Sequence, residues 1–189
     1  MAYGACMTIL DVWLAIVAAG VAGFLCSFVL WAATPFHRGD WTPIRDDGPM
    51  TDAVKSLRLS PGSYLFPWAA TDAESRSPEF RRRFEEGPAG ILVVFRRANM
   101  GVNLLLTLLS FTVAAALVAY LGTLTLPKGE SFMRVFRVLG TAGVLAHTFA
   151  FLPNAIWFQA TPRSVVTRLV DGLVYGLATG AVFAWLWPR

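Results

Sequence analysis

The chain has 189 residues, of which 56% are hydrophobic, 13% aromatic and 15% charged, and its net charge is +4 from 16 Lys and Arg against 12 Asp and Glu. Soluble domains carry about 25% charged and about 45–50% apolar residues, so this balance argues against a soluble enzyme, a disordered tail and a nucleic-acid binder. The apolar excess falls in four blocks, each near the roughly 20 residues that a helix needs to cross a bilayer.

The first block covers residues 8–33 and ends at Thr34-Pro35. Residues 1–7 hold no Lys or Arg, and the block is too long for a signal-peptide core, so it reads as a retained transmembrane helix. The two cysteines are Cys6 and Cys26. Cys26 lies inside the apolar run, where a free thiol behaves as a small hydrophobe, so no disulfide between them is expected.

A polar loop follows over residues 35–98, with 10 of the basic residues and nine acids. Thr51-Asp52 reads as the cap of a short helix reaching Leu59, and residues 60–63 (Ser-Pro-Gly-Ser) as a turn. Residues 64–68 are apolar and extended in character. Ser77-Pro78-Glu79 opens a helix that Gly87 stops. Phe80 and Phe84 share one face of it, beside Arg81, Arg82 and Arg83. That pattern fits a helix lying on the inner leaflet, or one packed against the rest of the loop. Residues 91–95 are β-branched, strand-like and too short to span. Asp46, Asp47 and Asp52 read as acids of a turn around Gly48-Pro49 rather than as a cation site.

The second block covers residues 99–126 and ends at Pro127. The third covers 138–160, and the fourth 162–187, opened by Thr161 as N-cap and Pro162 at the first helical position. Trp13, Trp31, Trp157, Trp185 and Trp187 fall near block ends, where aromatic belts sit. The loop side collects 12 Lys and Arg against four on the other side. By the positive-inside rule the loop is cytoplasmic and both termini are outside. The expected division is therefore 1–34 as first transmembrane helix, 35–98 as loop module and 99–189 as three-helix transmembrane region.

Polar residues inside such helices are costly and often functional. Asn103, Asn154 and Arg168 fall roughly 6–9 Å deep at 1.5 Å per residue, with Asp171 a little deeper and His147 near mid-membrane. They read as a polar layer near the cytoplasmic leaflet that either ties the bundle together or lines a pocket. Arg168 and Asp171, three apart, can pair on one helix. Pro153 should kink the third helix beside Asn154. His37 has no visible partner motif. Gly172, Gly176, Gly180 and Ala184 recur every four residues and form a close-packing stripe, serving the bundle, a second copy or a partner.

No HExxH, P-loop or GxSxG pattern occurs. No residue is assigned to catalysis, a cofactor or a metal. The stretches PGSYLFP (61–67), GPAGILVVF (87–95) and LPNAIWF (152–158), ahead of a glycine-striped last helix, give a chain that resembles small four-helix bacterial inner-membrane proteins of uncharacterised families. The resemblance implies a fold and a location, and no activity.

The expectation is an all-α integral membrane protein: four transmembrane helices with a cytoplasmic loop of short helix and strand-like segments. Its expected work is that of a non-enzymatic accessory or assembly subunit, acting through the loop and the helix-four stripe. The alternative is a transporter, channel subunit or lipid-handling protein using the polar layer. Expected partners are the lipid bilayer and a membrane protein or second copy, with no nucleic acid.

Overall fold

The computed structural model describes residues 7–189; Cys6 lies outside them. Its elements in chain order are α1 (Trp13–Phe28), α2 (Gly48–Ser56), β1 (Gly62–Phe66), α3 (Asp72–Ser75), α4 (Pro78–Glu86), β2 (Gly90–Val94), α5 (Met100–Thr125), α6 (Phe132–Thr148), α7 (Leu152–Trp157) and α8 (Pro162–Leu186). A 3-10 turn (Ile9–Val12) precedes α1, a wider π-turn (Val29–Ala33) follows it, and a 3-10 turn joins α6 to α7. The result is four helices long and apolar enough to cross a membrane: Ile9–Ala33, Met100–Thr125, Phe132–Trp157 and Pro162–Leu186.

The chain divides into two units. The helical unit runs to Thr42 and resumes at Met100, and Pro43–Asn99 forms the other. The eight residues after Thr34 thus belong with the helices, not with the loop module that the expected boundary at residue 35 assigned them to. They are held by contacts to α8, described below.

In the helical unit, short connections after Thr125 and after Trp157 make the second, third and fourth long helices successively antiparallel. The third begins at Phe132, six residues before the expected start. Arg134 and Arg137 interrupt the apolar pattern of its first two turns, and Arg134 pairs with Glu130 at 3.2 Å, so the helix begins before its uninterrupted apolar stretch. Pro153 breaks the same helix as expected. It lacks the backbone donor an α-turn requires, and a 3-10 turn at Phe149–Phe151 separates α6 from α7. Thr161 caps α8, its hydroxyl accepting from Ser164 N at 3.2 Å.

The apolar core lies towards the terminal end of the bundle. Val12, Ala15, Ala19, Val118, Ala119, Val135, Leu139 and Phe183 are buried there. Trp187, expected in an aromatic belt, is 6% exposed. Its indole N–H donates to Pro127 O at 2.9 Å, because that carbonyl follows the end of α5 and has no helical partner. Lys128 pairs with Asp11 at 2.8 Å at the same end.

The glycine stripe is filled within the chain. A Cβ on Gly176 would meet Val144 Cα at 2.5 Å, and one on Gly180 would meet Gly140 Cα at 2.5 Å. A Cβ on Gly172 would meet Thr148 Cα at 2.8 Å. Gly140 and Gly143 of α6 thus lie on Gly176 and Gly180 of α8, backbone on backbone. Such contact needs residues without side chains at Gly176 and Gly180.

In Pro43–Asn99, β1 pairs antiparallel with β2 in the register Gly62↔Val94 to Phe66↔Gly90. The two strand-like stretches are therefore one hairpin-like pair. The short helix expected from Thr51 instead starts at Gly48, with Pro49 in its first turn and Asp47 as N-cap residue. Gly48-Pro49 is a helix start because proline's fixed φ suits that position. It ends at Ser56, short of Leu59. Ser77 caps α4 through Phe80 N at 3.1 Å, and Gly87 ends it.

Candidate functional site

The end of the bundle opposite the apolar core carries a polar cluster. Its frame is local. The last turn of the first long helix widens to a π-turn at Val29–Ala33, and Thr34 N donates back to Val29 O at 3.0 Å. Pro35 cannot continue the helix. Arg38 N donates to Pro35 O and Asp40 N to His37 O, each at 3.1 Å, which closes a tight 3-10 turn. Side chains three apart eclipse in such a turn, so His37 and Asp40 stand on one side.

That side faces α8. His37 Nδ1 lies 2.7 Å from Asp40 Oδ2, and Nε2 lies 3.2 Å from Asp171 Oδ1. The ring is buried at 5% exposure, between carboxylates that are 4% and 7% exposed. Trp31 stacks on it with centroids 3.8 Å apart and planes 13° apart, and Phe36 meets it edge-on. Trp31 Nε1 also donates to Asp171 Oδ2 at 3.0 Å. Thr167, one turn before Asp171 on α8, donates to Asp40 Oδ2 at 2.7 Å.

Arg163 closes the outer side. Its Nε is 3.6 Å from Asp40 Oδ1, and its Nη2 donates to Phe36 O at 3.3 Å. Gly39 makes room for it, since a Cβ there would strike the guanidinium, with Arg163 Cζ at 2.7 Å. Asp40 Oδ1 is buried and accepts no hydrogen bond from the described residues.

The charges balance when His37 holds a proton on each nitrogen. It then donates to both carboxylates, and with Arg163 it neutralises two anions. A neutral ring donates to one and turns a lone pair on the other. Burial opposes ionisation of Asp40, but hydrogen bonds from His37 and Thr167, together with attraction to His37 and Arg163, outweigh it and hold its carboxyl below the ordinary 3.8. A buried charge is tolerable only when paired and hydrogen-bonded in this way. Chemically, the arrangement fastens the foot of the first helix to α8. Among the described residues no group of three or more His, Cys, Asp or Glu side chains is placed to hold a metal ion.

The expected polar layer is not assembled. Asp171 is buried in the cluster, but Asn103 and Asn154 are exposed. Arg168 does not share the cluster: its guanidinium lies over the Phe151 ring at 5.7 Å. The expected Arg168–Asp171 pair is thus replaced by His37–Asp171, because the turn after Pro35 brings an imidazole to the carboxylate. His147 is half-buried in an aromatic nest, 5.2 Å from the Phe111 ring and 5.9 Å from Tyr175. On α4, Phe80 and Phe84 stack at 6.3 Å, and Arg82 bonds Glu79 at 3.1 Å while Arg81 and Arg83 stay exposed.

Sequence reasoning passed over Trp31, His37, Asp40, Arg163 and Thr167. Two signals were present. His37 and Asp40 stand three apart directly after a Thr-Pro stop, and Asp171 is a lone acid in an apolar helix that calls for a cation. Scans against protein-family models, curated proteins and solved structures returned no match.

Proposed function

We propose that this chain is a multi-pass membrane protein of the bacterial inner membrane and works as a non-enzymatic accessory subunit. Its four long helices anchor the Pro43–Asn99 module on the cytoplasmic side, where the module meets a protein partner. The observation that carries this reading is the contrast between the two units. The inter-helix faces of the helical unit are closed by glycine contacts and a mutually bonded polar cluster. The module keeps Trp68 and Phe84 exposed. The glycine stripe is occupied by α6, so the reading rests on the module.

The test is gentle extraction from the native membrane and intact mass spectrometry. The full chain is compared with one whose residues 43–99 are replaced by a flexible linker. A protein bound in fixed ratio to the full chain and absent from the linker form supports the reading. A partner kept by both forms, or by neither, overturns it.

A second reading is favoured by the unbonded Asp40 Oδ1 beside Arg163. In it the cluster handles a proton or small ligand for a transporter or channel. A full chain that extracts alone with a bound small molecule, lost on His37→Ala, supports that reading over the first.

A further inference from the structure

The β1–β2 pair leaves one face uncovered. In the register Leu65↔Ile91 and Ser63↔Val93, paired residues point to the same side. Leu65, Ile91 and Val93 are all exposed, and Phe95, next in the same alternation, is 83% exposed. The opposite side holds Tyr64, Leu92 and Val94, each half-buried. A two-stranded sheet gains independent stability in water only when an apolar face is packed against something, and within Pro43–Asn99 the face formed by Leu65, Ile91, Val93 and Phe95 lacks an occupant.

The chain itself indicates the occupant. β2 leads from Phe95 through Arg96-Arg97-Ala98-Asn99 to Met100, the first residue of a long apolar helix. At no more than about 3.6 Å per residue, Phe95 lies within roughly 18 Å of that start. The face is thus tied to wherever α5 enters the bilayer. The charges nearest the face along the chain are Arg96 and Arg97, both exposed. Apolar side chains bordered by arginine match the boundary between acyl chains and anionic headgroups. Tethering removes the translational cost of docking, so four side chains suffice.

We infer that the Leu65, Ile91, Val93 and Phe95 face seats on the anionic headgroup layer of the bilayer that α5 enters. The module is then held flat by its sheet, and α2 and α4 remain for other contacts. This rests on the reading that the long helices span a membrane.

The test uses the full chain carrying Cys6→Ala and Cys26→Ala, reconstituted in nanodiscs of phosphatidylcholine and phosphatidylglycerol. An environment-sensitive fluorophore is attached at Val93→Cys, at Ala73→Cys as water reference, or at Leu117→Cys on the exposed side of α5. Loss of nitroxide-lipid quenching at Leu117→Cys overturns the membrane reading itself. With that control quenched, the inference expects Val93→Cys to be blue-shifted and quenched several-fold more by shallow nitroxide lipid than Ala73→Cys. It also expects weaker quenching in pure phosphatidylcholine; equal quenching there overturns the role of Arg96 and Arg97. Iodide access at Val93→Cys equal to that at Ala73→Cys overturns the seat. So does shielding from both iodide and nitroxide, which means protein covers the face: a second copy if single-copy nanodiscs relieve it, the chain's own helices if they do not.

Discussion

His37→Ala tests whether the cluster is the fastener of the bundle's polar end. The substitution removes a ring 5% exposed, its contacts with Asp40 at 2.7 Å and Asp171 at 3.2 Å, and its stack on Trp31. Two carboxylates then face each other in a buried space, and among the described residues the cation near them is Arg163, at 3.6 Å from Asp40. Removing one partner of a buried ion pair costs about 3–5 kcal/mol. That corresponds to a loss of about 160- to 5,000-fold in the folded-to-unfolded ratio at 1.36 kcal/mol per tenfold. Asp171→Ala should fall in the same range, since it strips both His37 and Trp31 of a partner. Because both act through one contact, the double variant should lose less than the sum, by about 0.5–3 kcal/mol. The assay is denaturant unfolding of the intact chain in mixed detergent, followed by far-ultraviolet circular dichroism. A His37→Ala loss under about 0.5 kcal/mol, the range of ordinary surface changes, refutes the reasoning. So does strict additivity of the pair.

Arg168→Ala should cost only about 0.5–1 kcal/mol, the worth of its contact with the Phe151 ring, and should show no coupling to Asp171 in the same unfolding assay. Gly176→Ala should destabilise by about 1–3 kcal/mol or more, because its Cβ meets Val144 backbone, with Cα at 2.5 Å. Gly140→Ala should be neutral or stabilising by up to about 1 kcal/mol, since its Cβ meets Gly180 Cα at an ordinary 3.7 Å; thermal midpoints of the two variants decide between them. Asp40 has a folded-state value below the ordinary 3.8, so it stabilises the fold above that value and loses this contribution as pH falls through its lower folded value. Unfolding profiles from about pH 5 downward should therefore fall more steeply for the natural chain than for Asp40→Asn.

The sequence by itself determined the number of long helices, most of their ends, the break at Pro153 and the caps at Ser77 and Thr161. These are decided within one or two turns, by apolar run length, proline geometry and a hydroxyl three residues before a free N–H. It also marked Gly172, Gly176 and Gly180 as a packing row, because small residues four apart must share a helix face. It did not decide what that row packs against. That choice depended on Gly140 and Gly143 arriving opposite it from another helix, which no local pattern encodes. The candidate site was the least legible part. Asp171 was visible as an acid in apolar surroundings, and its nearest cation in sequence, Arg168, was the natural partner. Tertiary structure instead brought His37 from 134 residues away. A stop at Pro35 turns the chain back under the bundle, and a buried carboxylate is stabilised by the group that can reach it with a hydrogen bond in the protein interior. Arg168, on the same helix, lies against the Phe151 ring instead.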